Sequence, residues 1–429
     1  MNVHAPMSES TPEVTATKMT VTRADKRSRW ALSSLMVAVF AVGTAEYVIA
    51  GILPTMATEL DVSVPRAGQL VTAYALSVVV GGPILTAATA KLNRFSVMRV
   101  LLVLFLAGNV AAAVAPGFGV LVVARVVSAL THSTLFAIAL VMASSLAPRG
   151  RESSAIARVA LGLNLATVLG VPIGTQIGLA AGWRATFVFV AAATVLALVL
   201  VSATVRLEPQ KRAGGSAFGE FRVLRNTNVL LAMFMTVLGQ TGLFTFYTYV
   251  TPYLTDVSGV RAESVVGILL LFGFGGAVGN VIGGRLADRN LLGSLTVLLV
   301  LGAAVLLSLG AFGSVPWLAV VLVFLLGVTG FSVIPALQTR IISSAGDSPT
   351  LALALNISAF QIANALGSVI GGATVGGPAG VSSTPFVGAL PTALAVVVAL
   401  VVLRGARRRR PSGKVESHEA AADVRGVVP

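Results

Sequence analysis

Long apolar runs alternate along the chain with short segments that carry Gly, Pro and charged residues. Within each run the apolar residues are continuous and show no period of two, so they predict helices and not the strands of a barrel. A helix needs about 20 apolar residues to cross the hydrocarbon core of a bilayer. Twelve runs meet this requirement, and we number them spans 1 to 12 in chain order: 30–53, 67–90, 99–115, 119–147, 155–178, 183–205, 229–253, 264–286, 292–312, 315–342, 350–378 and 383–403.

The composition supports a membrane location for these helices. Of the 429 residues, 56% are hydrophobic and only 11% are charged, and the mean hydropathy is +0.91. An ordinary soluble domain has about a quarter charged residues, because its surface must be largely polar. The sequence therefore predicts an all-α polytopic membrane protein. The run that follows residues 1–29 is too long for the core of a signal peptide, so we expect it to remain as span 1.

The distribution of positive charge orients the spans. With the N-terminus in the cytoplasm, only Arg66, Arg184 and Arg261 lie in outside loops, and Arg125 lies within a span. The other 26 of the 30 Lys and Arg residues lie on the cytoplasmic side, which is the bias of multi-pass membrane proteins. We therefore expect a protein of the cell (plasma or inner) membrane with both termini cytoplasmic. Orientation and lipid contact explain the net charge of +14, so nucleic acid is not an expected partner.

The longest internal loop divides the spans six and six, and it contains Pro209 and a Gly-Gly pair. Shifting the second half back by 197 residues superposes Gly371 on Gly174 and Gln361 on Asn164. Duplicated six-helix units are common in transporters, so we expect two pseudo-symmetric six-helix bundles. The predicted parts are a cytoplasmic tail at 1–29, bundles at 30–205 and 229–403, a cytoplasmic linker loop at 206–228 and a basic tail at 404–429.

Glycines recur at every fourth position in two spans. The two stripes are Gly170, Gly174 and Gly178 in span 5, and Gly275, Gly279 and Gly283 in span 8. Small residues at this spacing let helix backbones approach closely inside a membrane. Two interpretations stay open at this point: the stripes pack statically, or they form smooth faces that slide during transport.

Glu46, Arg125 and His132 are the ionisable residues well inside the predicted spans. A charge at the centre of a membrane helix costs about 2.5–3.5 kcal/mol on insertion scales, so such residues face a cavity or a partner. Glu46 lies about 10 Å below the outer end of span 1, and Arg125 about 9 Å below the outer end of span 4. The two can therefore lie at one level, with His132 two turns deeper than Arg125 on nearly the same face.

Four short segments carry Gly, Pro and charged residues in an order that is specific to one family. They are GTAEYVIAGILP from Gly43 to Pro54, Arg125 in ARVVSAL, GVPIGT from Gly170 to Thr175 with Pro172 and Gly174, and GRLADR from Gly284 to Arg289 with Asp288. Together they resemble the motifs of the major facilitator superfamily, in particular its twelve-span drug:proton antiporter branch. That branch includes chloramphenicol-resistance exporters and sugar and purine efflux permeases. The resemblance covers nearly all of residues 30–403.

Five positions depart from the family motifs. Ser128 and Ala129 replace the Gln and Gly that usually follow the Arg of span 4. Val171 separates Gly170 from Pro172, and Thr175 stands where the span 5 motif has Gly. Asn93 replaces the Asp of the first-half copy of the loop motif. The second copy, after span 8, therefore matches the motif better than the first.

The resemblance implies alternating access between the two bundles, with spans 1 and 4 lining the central cavity. Burial favours a neutral carboxylic acid and a nearby cation favours its charged form. A Glu46 that Arg125 approaches and leaves can thus bind and release a proton, with His132 as a further member of the proton-coupling set. The alternative is a permanent Glu46–Arg125 ion pair that joins two helices. For His132 the alternative is a neutral ring bonded to a backbone carbonyl.

Polar and aromatic residues in the spans are candidates for a substrate cavity. They are Tyr47, Tyr74, Asn164, Gln240, Phe244, Tyr247, Gln361 and Asn364. Polar side chains at such places line a pore or join helices, and aromatic rings bind a ligand or pack against neighbours. From these residues and the resemblance we expect a proton-coupled exporter of a small amphipathic compound, working as a monomer.

Other classes of function lack the residues that they need. The sequence has no G-x-x-x-x-G-K-[ST] segment and no H-E-x-x-H segment, and it contains three His and no Cys, so we expect neither an enzyme nor a cofactor or metal. The expected partners are a small-molecule substrate, protons and the lipid bilayer. One alternative is a sugar or nucleoside permease of the same fold, and a less favoured one is a membrane sensor or scaffold without transport.

The predicted topology can be tested with single cysteines, because the chain has none of its own. We expect Gly214→Cys in the linker loop to resist an impermeant thiol reagent in intact cells, and Ser63→Cys, between spans 1 and 2, to react. Labelling of Gly214→Cys from outside would overturn the span count.

Overall fold

The structure is a computed structural model that describes residues 12–89, 92–147, 152–205, 225–344 and 349–408. These ranges are helical and contain no strand. Residues 1–11 and 409–429 of the predicted tails, 206–224 of the predicted linker loop and 90–91 between spans 2 and 3 lie outside the described residues.

The helices follow the predicted spans in order. In the N-terminal half they are Pro12–Tyr47 and Ile49–Glu59 (span 1), Val64–Thr89 (span 2), Arg94–Ala113 (span 3), Phe118–Leu146 (span 4), Glu152–Leu165 and Val171–Ala181 (span 5), and Trp183–Thr204 (span 6). In the C-terminal half they are Thr227–Tyr247 and Val250–Pro252 (span 7), Ala262–Phe312 (spans 8 and 9), Pro316–Ser344 (span 10), Pro349–Gly376 (span 11) and Thr384–Arg408 (span 12).

Ten helices in the described ranges are long and apolar enough to cross a membrane. One of them, the 51-residue segment Ala262–Phe312, contains both span 8 and span 9. The two spans are divided at Asn290, where the backbone leaves the helical conformation (φ −156°, ψ 88°). The helix Pro349–Gly376 takes the place of span 11. The twelve-helix fold class is therefore confirmed. Span 1 differs in one respect, since its helix begins at Pro12 and only Ser28–Tyr47 is apolar enough to span.

Prolines lie close to breaks in three of the spans. A proline has no N–H, and its ring opposes the carbonyl four residues earlier. Span 5 widens into a π-helix at Ala166–Gly170, immediately before Pro172. Span 7 stops at Tyr247 and resumes at Val250, with Pro252 in the next turn. Span 1 is interrupted at Val48, ahead of Pro54. Each break leaves backbone carbonyls that other side chains can use.

The two glycine stripes pack within the halves, not between them. A methyl group added at Gly174 would lie 2.6 Å from Cγ2 of Val48 in span 1. A methyl group added at Gly275 would lie 3.2 Å from the ring of Phe324 in span 10. Both stripes therefore bring neighbouring helices of the same half to backbone contact. The packing favours the static interpretation over a sliding surface between the bundles.

We expect Gly174→Ala to destabilise the folded protein by about 1–3 kcal/mol, the usual range for overpacking. The reason is that Val48 and Thr186 close the space on two sides of Gly174. Gly302→Ala is the matched control, because a methyl group there meets nothing closer than 3.9 Å. Thermal unfolding in detergent measures both variants, and equal midpoints for the two would contradict the tight packing of spans 1 and 5.

Candidate functional site

A cluster of buried polar side chains lies where the two halves meet. Span 1 contributes Glu46, span 2 contributes Tyr74, span 4 contributes Arg125 and His132, and span 11 contributes Gln361 and Asn364. Each of these residues is at most 4% exposed. Polar groups buried this deeply need partners, and the cluster supplies some of them from both halves. Among the described residues, Nε and Nη2 of Arg125, Oε1 of Gln361 and Oδ1 of Asn364 have no hydrogen-bond partner.

Glu46 is the centre of this cluster. Its Oε1 accepts hydrogen bonds from Nε2 of Gln361 at 2.8 Å and from Nδ2 of Asn364 at 3.4 Å. Its Oε2 lies 3.7 Å from Nε2 of His132. The carboxylate therefore joins span 4 of the N-terminal half to span 11 of the C-terminal half. Hydrogen bonds to a charged carboxylate are stronger than those between neutral groups.

His132 and Arg125 are connected through Tyr74. The hydroxyl of Tyr74 lies 3.0 Å from Nδ1 of His132, and the two rings meet edge to face. On the other side, the guanidinium carbon of Arg125 lies 4.0 Å from the centroid of the Tyr74 ring, a cation–π contact. Arg125 also donates from Nη1 to the carbonyl of Ala45 at 2.8 Å. The contacts thus run without interruption from Arg125 to Gln361.

The contacts of both alternatives, the Glu46–Arg125 pair and the backbone-bonded His132, are absent from this conformation. No ion pair joins Arg125 to Glu46 in the described part of the chain, so the permanent pair is excluded for this conformation. Arg125 contacts the turn of span 1 that carries Glu46, but it donates to the carbonyl of Ala45, one residue before Glu46. His132 contacts the hydroxyl of Tyr74 and not a backbone carbonyl. Depth in the membrane gives the level of a side chain but not the direction in which it points.

Several predicted cavity residues line one small space beside Glu46. Its walls are formed by Glu46, Tyr47, Ala50, Val71, Phe244, Tyr247, Thr248 and Asn364. Tyr47 of span 1 and Phe244 of span 7 stack in parallel with centroids 6.4 Å apart. Tyr247 stacks on Phe272 of span 8 at 4.5 Å. Pockets that bind drug-sized ligands measure about 300–1,000 Å³, and this space is too small for such a ligand in this conformation.

Two other candidates join helices away from Glu46. Asn164 of span 5 accepts a hydrogen bond from Nδ2 of Asn280 in span 8 at 3.0 Å, which links the halves. Gln240 donates from Nε2 to the carbonyl of Gly330 in span 10 at 3.1 Å. Gln240 borders a separate cavity inside the C-terminal half.

The motif residues of span 5 and of the segment after span 8 lie outside the cluster. Gly170, Pro172 and Gly174 are buried in span 5, around the π-helix and against span 1. Gly284 lies further along span 8, and Asp288 and Arg289 are exposed immediately before the kink at Asn290. The structure therefore separates these motif residues from the Glu46 cluster.

Sequence reasoning missed the contacts that close one end of the interface. Thr251 donates to the carbonyl of Ala50 at 2.7 Å, and Ser368 donates to the carbonyl of Gly68 at 2.8 Å. The signal for the first contact is Pro54, which has no N–H for the carbonyl of Ala50. We call this end of the molecule, where span 1 ends and span 2 begins, the closed end.

Comparisons with known proteins agree on one family. The family model described as the Major Facilitator Superfamily matches residues 35–350. The inner membrane transport protein YdhP of Escherichia coli (strain K12) is 35% identical over 380 residues, which cover 88% of this chain and 96% of that protein. The chloramphenicol resistance protein of Streptomyces lividans is 33% identical over 374 residues, which cover 85% of this chain and 94% of that protein.

Two solved structures share the fold. One is a bacterial homologue of the human lysosomal transporter Spinster in an inward-facing, unoccupied conformation, with a TM-score of 0.72, 15% identity and coverage of 90% of this chain and 99% of that one. The other is a D-xylose–proton symporter, with a TM-score of 0.72, 14% identity and coverage of 86% and 96%.

Gln361 and Gln240 make a matched pair for testing the cluster. Each donates one hydrogen bond, and in each Oε1 has no hydrogen-bond partner in the described ranges. We expect Gln361→Met to cost about 1.5–3 kcal/mol, because its bond is to a carboxylate, and Gln240→Met about 1 kcal/mol. Thermal unfolding compares the two variants. A larger loss for Gln240→Met would contradict a charged Glu46 at the interface.

Proposed function

The chain belongs to the Major Facilitator Superfamily, and from this premise we propose that it exports a small amphipathic compound in exchange for protons. Membership makes it a multi-pass membrane transporter and not an enzyme. Proton coupling, outward transport and the kind of substrate are the proposal. The inner membrane as its location and the cytoplasmic position of both termini belong to the proposal as well.

The observation that carries the proposal is the position of Glu46 between the halves. Its carboxylate is buried, and it accepts hydrogen bonds from Gln361 and Asn364 across the interface. A proton on Glu46 removes the negative charge and with it the charge assistance of both bonds. Protonation therefore weakens the attachment of span 11 to span 1. A transporter with this arrangement changes the balance between its conformations when it binds or releases a proton.

His132 and Arg125 have separate roles in this scheme. His132 Nε2 is 3.7 Å from Glu46, and an imidazole can pass a proton between its two nitrogens and their neighbours. Arg125 holds the backbone of span 1 at Ala45 and places a positive charge beside the cluster. We propose Glu46 as the proton-binding carboxylate, His132 as its neighbour in proton transfer, and Arg125 as the charge that favours the ionised form.

The cavity walls and the relatives support the substrate class. Tyr47, Phe244 and Tyr247 give aromatic surface beside one carboxylate and one carboxamide, which suits an amphipathic molecule. The similarity to a chloramphenicol resistance protein favours efflux. A sugar or nucleoside permease is the second candidate, and the fold shared with a D-xylose–proton symporter favours it. A transport-free scaffold has no need for a buried carboxylate at a moving interface.

The experiment uses membrane vesicles that carry the protein and a pH gradient. A panel of amphipathic antibiotics, screened on a sensitive host with and without a protonophore, supplies the transported compound. We expect Glu46→Gln to abolish gradient-driven transport, because glutamine keeps the shape of the protonated acid but cannot release a proton. Substrate binding to the purified variant should persist.

The matched control is Glu59→Gln. Glu59 lies at the end of the same span, is 40% exposed and pairs with Arg184 at 3.4 Å on the surface, so its replacement should leave transport unchanged. Gradient-driven export by Glu46→Gln at the parent rate would refute the coupling role of Glu46. Equal loss of binding and transport in Glu46→Gln, with normal Glu59→Gln, would instead favour a purely structural role for the cluster.

A further inference from the structure

Tyr249 occupies a slot between the halves at the closed end. It lies within the break in span 7, where the turn before Pro252 is not helical, and its side chain is fully buried. The slot is made by glycines of two helices. A methyl group added at Gly372 of span 11 would lie 2.6 Å from the Tyr249 hydroxyl, and one at Gly371 would lie 2.8 Å from its ring. A methyl group added at Gly68 of span 2 would overlap the Tyr249 hydroxyl.

Two hydrogen bonds hold this arrangement together. The Tyr249 hydroxyl donates to the carbonyl of Ser368 in span 11 at 3.0 Å. The Ser368 hydroxyl donates to the carbonyl of Gly68 in span 2 at 2.8 Å. The bond from Ser368 to Gly68 joins the two halves, and the side chain of Tyr249 also contacts Gly68 of the other half. The closed end cannot open while both contacts persist.

The same face of span 11 carries the partners of Glu46. Gln361, Asn364, Ser368 and Gly372 are separated by three, four and four residues, which places them in one row along the helix. Gln361 and Ser368 are about 10 Å apart along the axis. A movement of span 11 that withdraws Gln361 from Glu46 therefore also moves Ser368 relative to Gly68.

We propose that Tyr249 and Ser368 form a latch that keeps the closed end shut, and that this face of span 11 links the latch to Glu46. Tyr249 and Ser368 are positioning residues in the transport cycle, and neither belongs to the Glu46 cluster. The latch follows from the contacts alone. The link to Glu46 rests on the proposed function.

The latch can be measured as a distance between the halves at the closed end. Ser63, before span 2, and Ala379, after span 11, are exposed loop residues on opposite halves. Both can be changed to Cys and spin-labelled, because the chain has no other cysteine. Pulsed dipolar spectroscopy on the full-length protein in lipid nanodiscs then gives the distribution of distances, with a short distance for the latched state.

We expect Ser368→Ala to raise the ratio of long to short distances by about fivefold to tenfold, the effect of one lost hydrogen bond, because it removes the hydroxyl that bonds Gly68 across the halves. The carbonyl of Ser368 still accepts from Tyr249 in this variant. Gly372→Ala should have a larger effect, because the added methyl group occupies the slot. The control is Gly267→Ala in span 8, where a methyl group meets nothing within 4 Å and the distribution should stay that of the parent.

The link is tested by Glu46→Gln in the same labelled protein, where we expect the long distance to gain population as it does in Ser368→Ala. A parent-like distribution in Ser368→Ala would overturn the latch, and Ser368→Ala decides this even if Gly372→Ala fails to fold. A parent-like distribution in Glu46→Gln, with an open Ser368→Ala, would overturn the link. Loss of gradient-driven transport is read separately, so a failed link and a failed proton role of Glu46 are distinguishable.

Discussion

A carboxylate in the middle of a membrane protein is tolerated only when hydrogen bonds or charges compensate for the water that it has lost. Glu46 meets this constraint with groups from both halves, His132 on one side and the amides of Gln361 and Asn364 on the other. Neither half can satisfy the carboxylate in this way alone. The stability of the interface therefore depends on the charge of one side chain, and that dependence is what a proton-driven transporter requires.

The distortions of the helices are concentrated around this interface. Pro54, Pro172 and Pro252 each remove an N–H and oppose a carbonyl in the preceding turn, and spans 1, 5 and 7 deviate from α-helix close to these positions. The carbonyl of Ala50, which lacks a helical donor, accepts from Thr251 of the other half. Breaks of this kind in discontinuous spans are common at the sites of transporters, because freed backbone groups become available to other helices and to ligands.

The sequence predicted the helical architecture well, because long apolar runs and the bias of positive charge depend on local composition. It also identified Glu46, Arg125 and His132 as buried ionisable groups. It did not predict which groups these residues contact. Arg125 binds Ala45 and Tyr74 instead of Glu46, because residue spacing gives depth but not the rotation of a helix about its axis.

The sequence also did not predict the contacts that join the two halves. Gln361 and Asn164 occupy equivalent places in the proposed repeat, yet Gln361 binds Glu46 and Asn164 binds Asn280. Internal symmetry relates positions within the halves, but contacts across the interface depend on how the halves are tilted. The slot for Tyr249 has no local signature beyond the glycines of spans 2 and 11 and the nearby Pro252.

The central claim is that Glu46 changes its protonation state when the transporter changes conformation, and infrared difference spectroscopy observes this directly. A protonated carboxylic acid has its own carbonyl stretching band, which an ionised carboxylate and a glutamine both lack. When a transported compound is added to the purified parent protein at a pH low enough to protonate Glu46, we expect loss of one such band as the proton is released, and no corresponding change in Glu46→Gln. The same band change in Glu46→Gln as in the parent would contradict the claim.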